Sequence, residues 1–196
     1  MKNHTSALSN KTWLLFVDEL HGFAKSAVMI GMWVGMPIVG IALYFLLPSE
    51  LPTNPAMARF SVSLPASTFI SLMLSSLGGL LAATLVAVEI VNEKTKKVYD
   101  LFLIRPVHRS SFMWAKFFAV SLCVSVALAI SMWAGIMIDL GRGIEISPLM
   151  QETIVEKFIS GVGVVMISAA VGILIGILSP NVLTAVLVVW FAGQNV

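Results

Sequence analysis

Charge is what this 196-residue chain has least of. Asp, Glu, Lys and Arg together make up 11% of it, against about 25% in a soluble domain. So little charge cannot cover a core in water, which excludes a soluble globular enzyme and a disordered tail. The single cysteine, Cys123, rules out an intrachain disulfide; inside an apolar run it reads as a small hydrophobe in a helix. The three histidines, His4, His21 and His108, all fall outside the long apolar runs. That leaves no histidine dyad or metal pair at membrane depth and no His-Glu-x-x-His pattern. A glycine-rich phosphate loop ending in Lys-Ser or Lys-Thr is missing too, so if ATP powers the protein another chain must bind it. The net charge of +2 is too small to point to nucleic acid. What is abundant is apolar surface: 58% of the residues, with a mean hydropathy of +0.96. Such a chain belongs in a bilayer. The polar stretch Met1 to Asn10 precedes the first long apolar run, which predicts an uncleaved anchor instead of a signal peptide.

A helix needs about 20 apolar residues to cross a hydrocarbon core about 30 Å thick. Four uncharged runs qualify: 27–47, 66–88, 117–138 and 158–178. A fifth, 181–196, is short for a full crossing and is set off by Ser179-Pro180. The expected fold is therefore an all-α polytopic membrane protein, a single transmembrane domain over 1–196 with four full spans and a short or incomplete fifth. The loop 93–116 holds six cations (Lys94, Lys96, Lys97, Arg105, Arg109, Lys116) against Glu93 and Asp100. With Lys2, Lys11 and Lys25, nine of the twelve cations fall on one side. That asymmetry predicts a cytoplasmic N-terminus and a cytoplasmic loop 93–116.

Two further segments carry helical periodicity. Over 12–25, Trp13, Phe16, Val17, Leu20 and Ala24 form a stripe, with Asp18, His21 and Lys25 off it; this predicts a helix lying along the membrane interface. Over 93–104, Val98, Leu101 and Phe102 fall at helical spacing, Arg105-Pro106 ends the helix, and Ser110 is the expected cap of the next. The span serines are expected to bond back to their own helices. Glu89, the one acid close to a span, is either a proton relay or an interfacial carboxylate paired with Lys94, Lys96 or Lys116. Gly31/Gly35, Gly172/Gly176 and Gly78-Gly79 with Ala82-Ala83 permit close helix packing, expected within the subunit more than across a dimer.

The stretch Val88-Glu89-Ile90-Val91-Asn92-Glu93-Lys94, continuing through Tyr99-Asp100-Leu101-Phe102-Leu103-Ile104-Arg105-Pro106-Val107-His108-Arg109-Ser110-Ser111 to Lys116, resembles the type-2 ABC transporter permeases. Glu93, Leu101, Leu103, Arg105, Pro106, Arg109 and Lys116 stand at that family's motif positions; Lys97-Val98-Tyr99-Asp100 departs from its more usual Gly-Thr pair and Glu. The resemblance covers about 30 residues. It implies an exporter's transmembrane subunit that is not itself an enzyme, works as a homodimer or heterodimer with a second permease in the cell (cytoplasmic) membrane, and receives energy from a separate ABC ATPase. ATP and Mg would bind that partner, with no cofactor in this chain. Family members usually have six spans and a cytoplasmic C-terminus, so the resemblance implies either a truncated product or a variant whose last helix is missing. The coupling helix between spans two and three would dock through Val98, Leu101 and Phe102 as an apolar anchor. Lys94, Lys97, Arg105 and Arg109 would form a charged rim. The alternatives are a proton-coupled secondary transporter working through Glu89 and a membrane scaffold without transport.

Overall fold

In lipid every backbone amide must find its partner inside the protein, and a run of apolar residues does so by coiling. A computed structural model describes residues 3–46, 65–95, 109–144 and 147–193, and among these every element is a helix. In chain order they are α1 (Asn3–Lys25), α2 (Ala27–Leu46), α3 (Ala66–Thr95), α4 (Arg109–Gly141), α5 (Pro148–Leu178) and α6 (Val182–Gly193). Helices α2 to α5 are long and apolar enough to cross a bilayer, so the chain is a multi-pass membrane protein. Helix α6 has 12 residues, about 18 Å of rise, and falls short of a crossing.

Charges do not end these helices. α3, α4 and α5 run for 30, 33 and 31 residues, about 45 to 50 Å, well beyond the hydrocarbon core. The spans expected at 66–88, 117–138 and 158–178 are thus parts of longer helices. An acid or lysine near the membrane edge has good helix propensity and simply extends the helix into the interface. The expected loop 93–116 shrinks from both sides, since Glu93 to Thr95 complete α3 and Arg109 to Lys116 open α4. Ser110, expected as a cap, lies in the first turn of α4. Real caps do set the ends of α5: Ser147 accepts from the Met150 amide at 3.3 Å, Pro148 starts the helix, and Ser179 in extended conformation closes it. The expected coupling helix, with Lys97, Val98, Leu101, Phe102, Arg105 and Pro106, lies outside the described residues.

The core forms on α3, which packs against both α4 and α5. Ile70, Leu74, Val86 and Ile90 of α3 meet Val120 and Val124 of α4 in one buried cluster. Against α5 the contact is backbone to backbone: Gly172 rests on Ala83 and Gly176 on Ala87. The small-residue pairs therefore bring α3 and α5 together within the chain, as expected. Gly31 and Gly35 differ, since among the described residues a Cβ added at either would meet nothing within 4 Å. Ser125 and Ser131 donate to carbonyls four residues back at 2.7 and 2.8 Å. Cys123 is buried, and its carbonyl accepts from the Trp33 indole at 3.0 Å.

One end of the bundle is closed by an acid that lies just past the expected span 117–138. Asp139 is fully buried in the last turns of α4, and its two oxygens accept from the amides of Ala66 at 2.6 Å and Ser67 at 2.9 Å. A carboxylate from another helix thus serves as the cap of α3, satisfying amides that Pro65 cannot. Nearby, Arg142 donates to the Tyr44 hydroxyl at 2.5 Å and ties α2 to the same end. Asp139→Asn replaces one acceptor with an NH2 group facing an N–H donor, at an expected cost of about 1.5–3 kcal/mol. Thermal unfolding in detergent micelles measures it; an unchanged midpoint would refute the capping role.

Candidate functional site at the Lys116 end

At the opposite end, three helices meet on one ammonium. The spacing of Glu89 and Glu93 sets both carboxylates on one face of α3, as Phe112 and Lys116 share a face of α4. Lys116 is 2% exposed. Its Nζ lies 2.8 Å from Glu93 Oε1, 3.2 Å from Glu19 Oε2 and 3.6 Å from Glu89 Oε2, and stands over the rings of Phe112 at 4.8 Å and Phe23 at 5.6 Å. A buried ammonium is tolerable only with such partners. Glu93 is the tightest of them. Its second oxygen, Oε2, is buried without a hydrogen-bond partner among the described residues, beside two further carboxylates.

Glu19 is the residue the sequence reading passed over. α1 turns Phe16, Glu19, Leu20 and Phe23 toward the bundle, while Trp13 and Val17 of the expected stripe are exposed. The expected and observed faces share Phe16 and Leu20 but differ by a rotation of α1. The signal was available in the i, i+3, i+4, i+7 spacing of that set: a carboxylate among apolar residues on one helix face calls for a buried cation. Nothing in the sequence said which cation.

Beside the cluster opens a cavity of about 430 Å³ lined by Asp18, Glu19, His21, Glu89, Glu93 and Lys116. It holds four carboxylates against one ammonium and is strongly acidic. Among the described residues, no three metal-ligating side chains converge closely enough to hold an ion.

Of the residues implied by the resemblance, Glu93 and Lys116 come together here, and Glu89 joins them in the interfacial pairing with Lys116. Lys94 turns away: its Nζ donates to the carbonyls of Ile177 at 2.7 Å and Ser179 at 3.1 Å. A cation at the C-terminus of α5 satisfies carbonyls that the helix leaves open and meets the negative end of its dipole. Lys94 therefore holds α3 to α5. Arg109 is the first residue of α4. No family model, curated protein or solved structure matches the chain.

Mechanically, the arrangement is a clamp. The segment 96–108 leaves α3 at Thr95 and returns at Arg109. Glu93 and Lys116, close to those two exits, are locked to each other and to α1. These contacts join α1, α3 and α4 at one point, and Lys94 joins α3 to α5 beside it.

Proposed function

We propose that this chain is the membrane-spanning permease subunit of an ATP-driven ABC transporter, an exporter of the cell membrane with its N-terminus in the cytoplasm. A separate ATPase, which binds ATP and Mg, docks on the segment between α3 and α4. The observation that carries this reading is the Lys116 clamp at the base of that segment, because a coupling loop transmits force only if its flanking helices are fixed to the bundle. The motif through Leu101, Leu103, Arg105, Pro106 and Arg109 supports the same partner. Val98, Leu101 and Phe102 supply the apolar anchor for a groove on the ATPase, with Lys97, Arg105 and Arg109 around it. A second permease, identical or homologous, completes the transporter, and the open Gly31/Gly35 face of α2 is available for that contact.

Co-purification tests the reading. Replacing Leu101 and Phe102 together with Asp is expected to abolish association with the ATPase subunit, and with it ATP-dependent transport in vesicles. A complex of unchanged stoichiometry would count against the segment as a docking site. Glu89 separates this reading from proton-coupled transport. It is the outermost of the three acids, 42% exposed, and holds the longest pairing. Glu89→Gln is expected to leave ATP-driven flux within about twofold, since exposed pairs are weak. Loss of a flux that follows a pH gradient without ATP would favour the proton relay.

A further inference from the structure

A second cavity, of about 860 Å³, opens between α1, α4 and α5. Its walls include Trp13, Phe16, Trp114, Phe118 and Met166, and its volume is that of a small-molecule or lipid site. Its outer edge lies on the apolar exterior of the bundle, where Trp13, Trp114, Phe118 and Leu122 are exposed. Trp114 stands two residues from Lys116, so both tryptophans lie near the charged layer, the level where such side chains settle at a membrane interface. From there the α4 wall descends from Trp114 to Ser125, eleven residues and about 16 Å, the depth of one hydrocarbon leaflet.

Ser121 lies within this wall. It is 5% exposed, and its Oγ is buried with no hydrogen-bond partner among the described residues, although Ser125 and Ser131 of the same helix bond back to carbonyls. Buried hydroxyls left so are rare in native proteins. Rotation about a single side-chain bond turns the hydroxyl to the cavity that Ser121 already lines. It sits five residues, about 7 Å, deeper than Lys116 along α4, just beneath the charged layer.

We propose that this cavity binds one acyl chain of a membrane phospholipid, with the Ser121 hydroxyl donating to the chain's ester carbonyl. The Ser121 hydroxyl favours a lipid over a helix of a second copy, because an ester carbonyl is free to accept a hydrogen bond whereas the carbonyls of a membrane-spanning helix are already bonded within it. Trp13, Trp114 and Phe118 flank the headgroup end, and Leu122, Ser125 and Met166 line the first part of the chain. Seated there, the lipid fills the space between α1 and α4 behind the Lys116 clamp. The inference does not depend on the transport reading.

The full chain in phosphatidylcholine nanodiscs, doped with a phosphatidylcholine carrying a diazirine in one acyl chain, tests it. After photolysis and peptide mapping, labelling of 114–125 and 158–166 is expected to exceed that of the exposed α2 residues Val28, Val34 and Ile38 by about fivefold, the equivalent of one good contact of about 1 kcal/mol. Even labelling of all lipid-facing helices overturns the site. Ser121→Ala preserves the cavity and removes the donor, and is expected to lower labelling about fivefold; wild-type labelling in that variant refutes the ester contact. Val162→Phe, in the α5 wall, should exclude the chain while the α2 signal stays constant. Undiminished labelling of the cavity segments in that variant would also overturn the proposal.

Discussion

Lys116→Met is expected to destabilise the protein by about 3–5 kcal/mol, because it leaves carboxylates in a buried site with no cation. Methionine matches the length of the lysine stem and keeps the packing against Phe23 and Phe112, so the loss reports charge and not volume. Glu93 suffers most: its side chain is 16% exposed and its Oε1 makes the 2.8 Å contact. Equilibrium unfolding in mixed micelles measures the change. Adding Glu93→Gln to Lys116→Met should recover part of the loss, since an amide costs less to bury than an unpaired carboxylate. Glu89→Gln alone should cost under about 1 kcal/mol. If Lys116→Met were no worse than that, the clamp would be a surface ion pair in energetic terms and its coupling role would fall with it. In the transport reading, the same variant keeps the ATPase bound but loses ATP-driven flux, because docking and transmission reside in different residues.

Gly172→Leu is expected to cost about 3 kcal/mol or more, the upper range for overpacking a filled core. A Cβ at this position would land on the Ala83 backbone, and backbone, unlike the end of a flexible side chain, cannot swing aside. The variant must push α3 from α5 and strain the Lys94 contacts with Ile177 and Ser179. Gly176→Ala is milder, since its nearest atoms on Ala87 and Ile90 stand at 3.1 Å. Gly31→Ala should run the other way, gaining about 0.5–1 kcal/mol from helix propensity, because nothing among the described residues opposes its methyl group. Thermal midpoints of the three variants in one detergent provide the comparison. A Gly172→Leu midpoint equal to wild type would mean that the α3–α5 contact does not depend on a bare backbone. Gly31→Leu, which leaves the monomer stable, is expected to dissociate a permease dimer that uses this face.

Residue order by itself determined that the chain crosses a membrane and which four of the described helices are long and apolar enough to do so. Those properties depend on one-dimensional quantities: the length of an apolar run against bilayer thickness, and the proline that interrupts it. The sequence also marked Gly172 and Gly176 as packing residues, because the spacing of small side chains is local to one helix. Helix ends were less legible. Charge marks where hydrocarbon stops, whereas caps mark where helix stops, and in α3 and α4 the two differ by several residues. The site was decided only in three dimensions. Asp139, just past the expected span 117–138, caps α3 from the far end of α4; Lys94, expected on a charged rim, closes α5; and Lys116 is buried among acids from two other helices. A charged side chain in a near-apolar protein seeks whichever partner the packing brings within about 4 Å, and that partner is set by how the helices stack, which no spacing along a single helix encodes.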